Sequence, residues 1–394
     1  MLDLDANLSL ASALIYPAPK RPTDYLPLVY GDLGDGAAGI WTAVCVDSAN
    51  LVYALAGHAL AGPVHLYDKD GAAIDPADYS LNLAHNYLYR GVIATATFAA
   101  PPNEPVTARG RGKPDAGGGL IDNPLDLARD LLIAWGGATA EDLDANSFRR
   151  AQARAAGLGF RAAGVIERPR QAGQVLAELL GCFLGSAWRD GRGRLRFSLD
   201  IGAGAVADGD LLVSFNAVNL RDMSATANLD DLCNLAAAHY AYSWVDKAYA
   251  AAYDGQDTRD LRSIGLHGPL PRLLELPWVR DAATVGTVCG RLVGLVGFPR
   301  RMISFEEAGL VNLPLEVGDP ALLSLPWLGD EMGRPIVNQI VRVLALEPRL
   351  DAHATRVMVL DTGYFKTRAY PADGSWLADG SRVAGGERDR REYY

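Results

Sequence analysis

Hydrophobic periodicity switches twice along this chain, so it cannot form one uniform layer of sheet or of helix. Up to residue 105 the apolar residues come in short runs that partly alternate: Gly39 to Asp47, Leu51 to Ala56, Val64 to Tyr67, Leu81 to Leu83 and Gly91 to Phe98. Period-two alternation places successive side chains on opposite faces of a strand. Asp68-Lys69-Asp70-Gly71 supplies a hairpin turn, because Asp-Gly tolerates the positive φ of a tight turn. The 42 glycines and 22 prolines in 394 residues favour many short β elements over a helical bundle.

After Asp122 the period changes to that of a helix. Asn123-Pro124 opens it, and Leu127, Leu131, Leu132 and Trp135 share one face. A second helix is expected from Asp144, as N-cap, to Gly157. A third, between Arg170 and Ser186, aligns Val175, Leu176, Leu179, Leu180 and Phe183. Trp188 to Leu199 then reads as a hairpin with Asp190-Gly191 at its turn and Leu195, Phe197 and Leu199 on one face.

From Asp210 strands return, at Leu211 to Phe215 and at Leu232 to Trp244, followed by an irregular stretch to Pro277. A fourth helix, Val279 to Val296, interrupts this second β block, which resumes at Arg301 to Phe305, Leu313 to Leu325, Val337 to Leu346 and Thr355 to Leu360. Pro101 to Gly119 reads as a solvated linker. Its Arg109-Gly110-Arg111-Gly112-Lys113 run lacks the spacing of a phosphate loop.

The chemistry-bearing residues do not assemble into a catalytic pattern. The four cysteines, Cys45, Cys182, Cys233 and Cys289, lie far apart in apolar settings and read as buried free thiols. The six histidines show no H-E-x-x-H or H-x-H pairing. No G-x-S-x-G elbow is present, and Gly185-Ser186 falls in the expected tail of the third helix. Gly202 to Ala207 lacks the third glycine of a dinucleotide fingerprint. Asp230-Asp231 and Glu306-Glu307 are adjacent acids whose side chains would point to opposite faces of a strand, so neither pair flanks a sugar. Gly318-Asp319-Pro320 reads as a turn whose Asp caps local backbone groups. We expect no enzymatic activity, no metal and no cofactor.

A net charge of -10 argues against specific nucleic-acid binding. The uncharged run Ala49 to Tyr67 carries glycines, histidines and a proline, and Thr284 to Phe298 is broken by Arg291, so no membrane-spanning segment is expected. The acidic start MLDLDANLSL does not read as an export signal.

Four stretches, taken in order, resemble the tail hub (baseplate hub) proteins of tailed bacteriophages and the amino-terminal part of siphophage tail-tip attachment proteins. They are Asn123 to Phe148 (NPLDLARDLLIAWGGATAEDLDANSF), Gly164 to Leu199, Asp260 to Gly265 with the helix that follows, and Leu313 to Leu325 (LPLEVGDPALLSL). The resemblance implies a β-rich α+β chain: two antiparallel β-barrel domains with an α/β domain built from two segments. The first barrel would be 1–105, with a linker at 106–122. The α/β domain would be 123–205 and 247–298, the second barrel 206–246 and 299–370, and the carboxy-terminal tail 371–394.

It also implies a function. Three subunits would form a pseudo-sixfold homotrimeric ring around the DNA channel, joining the hexameric tail tube and distal tail ring to tip or fibre proteins. The tape-measure protein is a further candidate partner. The chain would be assembled in the host cytoplasm and reside in the virion. Two alternatives stand beside this: a tail-associated cell-wall hydrolase, and a distal tail protein or carbohydrate-binding module. Trp376, Leu377, Tyr393 and Tyr394 are aromatic and apolar anchors in a polar tail and are the expected partner contacts. Asp68, Asp70, Asp230, Asp231, Glu306, Glu307 and Asp319 are the acids expected to keep the channel from gripping DNA.

Overall fold

The computed structural model describes residues 10–11, 25–86, 91–199, 213–228, 231–309, 315–329, 335–366 and 387–389. Its first unit is built from short strands: β1 (Leu10–Ala11), β2 (Tyr25–Leu26), β3 (Leu28–Tyr30), β4 (Trp41–Thr42), β5 (Val44–Asp47), β6 (Val52–Ala56), β7 (Val64–Tyr67), β8 (Tyr79–Asn86), β9 (Val92–Phe98) and β10 (Thr107–Gly110). They form a three-stranded sheet, β4-β10-β7, and a four-stranded sheet, β5-β6-β9-β8. The chain crosses between the two sheets at Ala43, whose N–H is held by Val106 O at 3.0 Å.

Alternation gives β9 two buried faces. Ala94, Ala96 and Phe98 join a core with Trp41, Leu55 and Leu66, while Ile93 meets Leu26, Val46 and Ala54. Trp41 is fully buried, and its indole N–H donates to Leu55 O at 2.9 Å.

The expected linker is ordered where it meets this unit. β10 pairs with both β4 and β7, and Val106 and Ala108 are buried. Its glycines serve close approach rather than mobility. A Cβ on Gly110, at φ +148°, would lie 2.2 Å from Pro63 O, and one on Gly112 would lie 2.6 Å from Tyr30 Cα.

The central unit holds α1 (Pro124–Asp130), α2 (Ala145–Gly157), β11 (Gly164–Ile166), α3 (Ala172–Gly181), β12 (Gly185–Arg189) and β13 (Leu195–Leu199). Both α1 and α2 start where expected, Asp144 serving as the expected N-cap. Asn123 accepts from Leu125 N at 2.9 Å, and Asp144 from Ser147 N at 2.9 Å. β11 pairs with β3, tying this unit to the first. The third helix ends earlier than expected. Leu184, at φ 56°, reverses the chain, so Gly185-Ser186 begins β12 rather than continuing a helix tail.

The chain next contributes β14 (Ser214–Asn216) and β15 (Leu220–Asn228) to a separate sheet. It then returns to the central unit as β16 (Leu235–Ser243), β17 (Ala248–Tyr253), α4 (Leu261–His267), β18 (Pro271–Leu276) and α5 (Ala282–Val296). β16 was expected in the second β block. It pairs instead with β17 and β18, in the order β17-β16-β18, and α5 packs against it. β17 and β18 occupy the stretch expected to be irregular. β17 reads AYAAAY, and its alanines make the alternation too faint to see in the sequence. One hydrophobic core draws on both segments, uniting Leu127, Phe148, Leu179 and Phe197 with Ala236, Trp278, Val288 and Leu292.

The last unit is one sheet in the order β14-β20-β21-β22-β19-β15, with β19 (Arg300–Ala308), β20 (Pro320–Gly329), β21 (Pro335–Arg349) and β22 (Ala354–Lys366). β23 (Glu387–Asp389) pairs with the end of β22. β14 runs parallel to β20, and the other pairs are antiparallel. The sheet curls on itself. Phe215 of β14 and Phe305 of β19 stand four strands apart along the order, yet their rings meet edge to face at 4.9 Å. In a flat sheet the same strands would be about 19 Å apart.

Among the described residues, no pairing joins β14 to β15, and none joins the two sheets of the first unit. Of the two antiparallel β-barrels expected, the described residues of the last unit form a half-barrel sheet, and those of the first unit form two sheets that share one core. Closure requires the end strands to exchange hydrogen bonds. β14, the three-residue strand at one end of the order, is paired along one edge only, in parallel with β20.

Candidate functional site

A polar cluster joins the central unit to the half-barrel. In β13 Leu195, Phe197 and Leu199 point into the central core, so alternation turns Arg196 and Ser198 toward the half-barrel. Arg196 Nη1 pairs with Glu316 Oε2 at 2.8 Å, and its Nη2 with Asp319 Oδ1 at 2.9 Å. Its guanidinium also lies 5.9 Å from the Trp188 ring centroid. Arg342 of β21 donates to Ser198 Oγ at 2.7 Å.

The turn that carries these acids is folded for the purpose. Asp319 Oδ2 accepts the Glu316 N–H at 3.0 Å, as the sequence reading expected of a capping Asp, while its other oxygen faces Arg196. Gly318, at φ +90°, lies under Trp188, and a Cβ there would be 2.3 Å from the indole Cζ2. The hairpin is shaped in the same way. Asp190 accepts from Arg192 N at 2.9 Å and Arg194 N at 2.8 Å, and Arg194 bridges Asp190 and Asp144 at 2.9 Å each.

Burial alone would lower the Arg196 pKa and raise that of Asp144. In each case the charged and hydrogen-bonded neighbours outweigh burial, leaving Arg196 above and Asp144 below its ordinary value. Asp144 is thus held ionised by the Ser147 N–H and by Arg194. The cluster's chemistry is that of a joint fixing two units in one orientation.

A second cluster lies between the first unit and α1. Tyr30 O–H donates to Asp130 at 2.6 Å and accepts from Trp135 Nε1 at 3.0 Å, and Lys113 Nζ reaches both Asp130 oxygens at 2.7 and 2.8 Å. Trp135 is delivered by a widened turn after α1, closed by Gly136 N–H on Leu131 O at 2.9 Å. Buried His58 stacks at a tilt on Tyr30. Its Nε2 accepts the Val29 N–H at 2.9 Å, which leaves Nδ1 to donate to Ala59 O at 2.8 Å and fixes the neutral tautomer.

Burial pushes the His58 pKa down to about 4, and Lys113 acts in the same direction. The folded chain therefore refuses a proton that the unfolded chain accepts below about pH 6.5. No cost arises above that pH, and stability falls as pH drops from about 6.5 toward about 4. The stability advantage of the native protein over His58→Asn is expected to be about 2 kcal/mol smaller at pH 5 than at pH 7. Urea denaturation at the two pH values measures it; an unchanged gap would show that His58 is not buried as the neutral base.

The expected contacts Trp376, Leu377, Tyr393 and Tyr394 lie outside the described residues, as does Asp230. Among the acids assigned to a channel, Asp68 folds its own hairpin by accepting from Asp70 N and Ala72 N, each at 2.9 Å. Glu307 and Asp319 are buried, at 7% and 6% exposure, and do not present charge to a channel. Alternation along β19 sends Glu307 inward with Ile303 and Phe305, whereas Glu306 pairs with Arg349 at 3.3 Å.

All four cysteines are buried and free, and burial raises Cys182 to about 12 and Cys289 to about 11. Among the described residues, no group of three or more His, Cys, Asp or Glu is placed to hold a metal ion. No described helix is long and apolar enough to cross a membrane. The sequence reading missed the arginines of the joint. The available signal was Arg192, Arg194 and Arg196 alternating with the apolar stripe of β13.

No family model matches the chain, and no curated protein sequence matches it. Among solved structures it is similar to a tail protein from Neisseria meningitidis, with 12% identity, a TM-score of 0.35, and coverage of 72% of this chain and 78% of that one. The 43 kDa tail protein of prophage MuSo2 from Shewanella oneidensis also has 12% identity and a TM-score of 0.35, covering 85% of this chain and 93% of that one. A prophage tail protein from Listeria monocytogenes has 10% identity and a TM-score of 0.34, covering 76% of this chain and 94% of that one.

Proposed function

We propose that this chain is a structural subunit of a bacteriophage tail: the hub whose homotrimeric ring connects the tail tube and distal tail ring to tip or fibre proteins. The observation that carries this reading is the convergence of the four stretches that resemble hub proteins. The first two meet where Phe148 packs on Phe197 at 5.6 Å and Arg194 pairs with Asp144 at 2.9 Å. The second and fourth meet through Arg196 with Glu316 and Asp319. In the third, Asp260 caps α4, and the α5 helix that follows shares the core of the first two.

An arginine–carboxylate joint between rigid β units suits a part that passes load and orientation along an assembly. In this reading the chain acts without catalysis, in the virion. Its partners are copies of itself and the neighbouring tail proteins, with the tape-measure protein among the candidates.

Light scattering on the purified protein tests the reading, with a mass three times that of one chain expected. A monomer at every concentration would overturn the ring. A hexamer would favour the distal tail protein. A chain truncated after Tyr370 is expected to keep its core transition but to enter particles less efficiently. It lacks the four proposed contacts and the β23 pairing. Normal incorporation, scored by particle proteomics, would remove the tail from the partner interface.

A further inference from the structure

A cleft of about 520 Å³ runs along the seam between the first unit and the central unit, and the reading above leaves it without a role. Three arginines line it: Arg161, which faces Asp122, and Arg109 and Arg280 from opposite sides of the seam. Arg109 stands on β10 and donates to Gly34 O at 3.1 Å and Ala38 O at 3.4 Å. Arg280, just ahead of α5, donates to Tyr242 O at 2.9 Å. Neither is ion-paired among the described residues. Burial and then the charge of Arg109 lower the Arg280 pKa to about 10, and Asp32 offsets them only in part.

The acids around the cleft have their own partners. Asp281 caps α5 through Thr284 N at 2.7 Å, and Asp246 holds Ser243 Oγ at 2.7 Å. Asp32 accepts from Gly34 N at 2.8 Å and lies 4.0 Å from Arg111. Burial raises the Asp122 pKa, and the charge of the facing Arg161 offsets that rise only in part. Two positive forks therefore share one cavity with only backbone carbonyls as acceptors, an arrangement that an added anion would relieve.

We propose that Arg109 and Arg280 form an oxyanion-binding site that takes a carboxylate. A planar carboxylate matches the guanidinium fork. The four acids around the cleft make a doubly charged phosphate the poorer guest, because each unit of guest charge is repelled by them. The proposal does not depend on the tail reading.

The test is thermal unfolding of the intact protein with acetate, N-acetylaspartamide, phosphate or chloride at matched ionic strength. A saturable rise in Tm with the two carboxylates, larger than with phosphate or chloride, is expected. Arg109→Gln and Arg280→Gln should each weaken the apparent affinity about tenfold or more. A stronger effect from N-acetylaspartamide would assign the natural guest to a protein side chain, and a stronger effect from acetate to a free acid.

Equal effects from all four salts, an undiminished response in both variants, or a preference for phosphate would each overturn the proposal. Ala250→Glu covers the case in which an arginine variant does not fold. Ala250 is exposed on β17 and lines the cleft, so a carboxylate tethered there should raise Tm and abolish the acetate response. A lower Tm with the response intact would count against the site.

Discussion

Replacing Arg196 with methionine is expected to cost about 3–5 kcal/mol, the usual penalty for removing one partner of a buried ion pair. Arg196 is 13% exposed at its side chain, and Asp319 only 9%. In Arg196→Met the Asp319 carboxylate keeps one backbone N–H but loses its cation, as does Glu316. Both lie at the joint, so the loss should fall on the docking of the half-barrel. Denaturation followed by tryptophan fluorescence should shift to lower urea, or split into two transitions as the units uncouple. Asp319→Asn in the same chain should recover part of the loss, because it removes one stranded charge. A single-variant cost within about 0.5 kcal/mol, the range of ordinary surface changes, would show that the units are held by other contacts.

Trp278→Ala is expected to cost a similar amount, about 3–5 kcal/mol, through a different mechanism. The ring is 1% exposed and covers Gly164 so closely that a Cβ there would lie 2.4 Å from Cε3. Its indole N–H donates to Glu178 Oε1 at 2.8 Å, and its carbonyl accepts the Ala163 N–H at 2.9 Å. Glu178 is also held by Arg170 at 2.6 Å, so it stays paired when the indole is lost. The cost is then mainly that of an unfilled cavity where the two segments of the central unit meet. Trp278→Phe keeps part of the volume and should cost less than half as much. Calorimetry and denaturant titration of both variants measure the difference, and a negligible effect of the alanine variant would mean that the segments do not share one core.

The local elements were legible in the sequence because their causes are local. Helical spacing of Leu127, Leu131 and Leu132, the helix starts at Asn123 and Asp144, and the Asp190 turn are each decided within a few residues. Alternation in β13 settles which side chains enter the core before any partner is known. The cysteines, too, could be placed in apolar interiors from their neighbours alone.

Other features depended on residues distant in sequence. The glycines at 110 and 112 read as mobility, because their use appears only when Pro63 and Tyr30 pack against them. β16 could have paired on either side of the helices, and β17 and β18 decide it by supplying both its edges. Asp319 looked like a turn residue and is one, but its second oxygen gains a role only when Arg196, more than a hundred residues away, is folded against it. The β-rich α+β character, the helix starts and the inward faces were thus determined by the sequence alone. Sheet membership, the open half-barrel and the joint were decided by tertiary structure, because strand pairing and charge pairing are satisfied by whichever distant partner the folded chain presents.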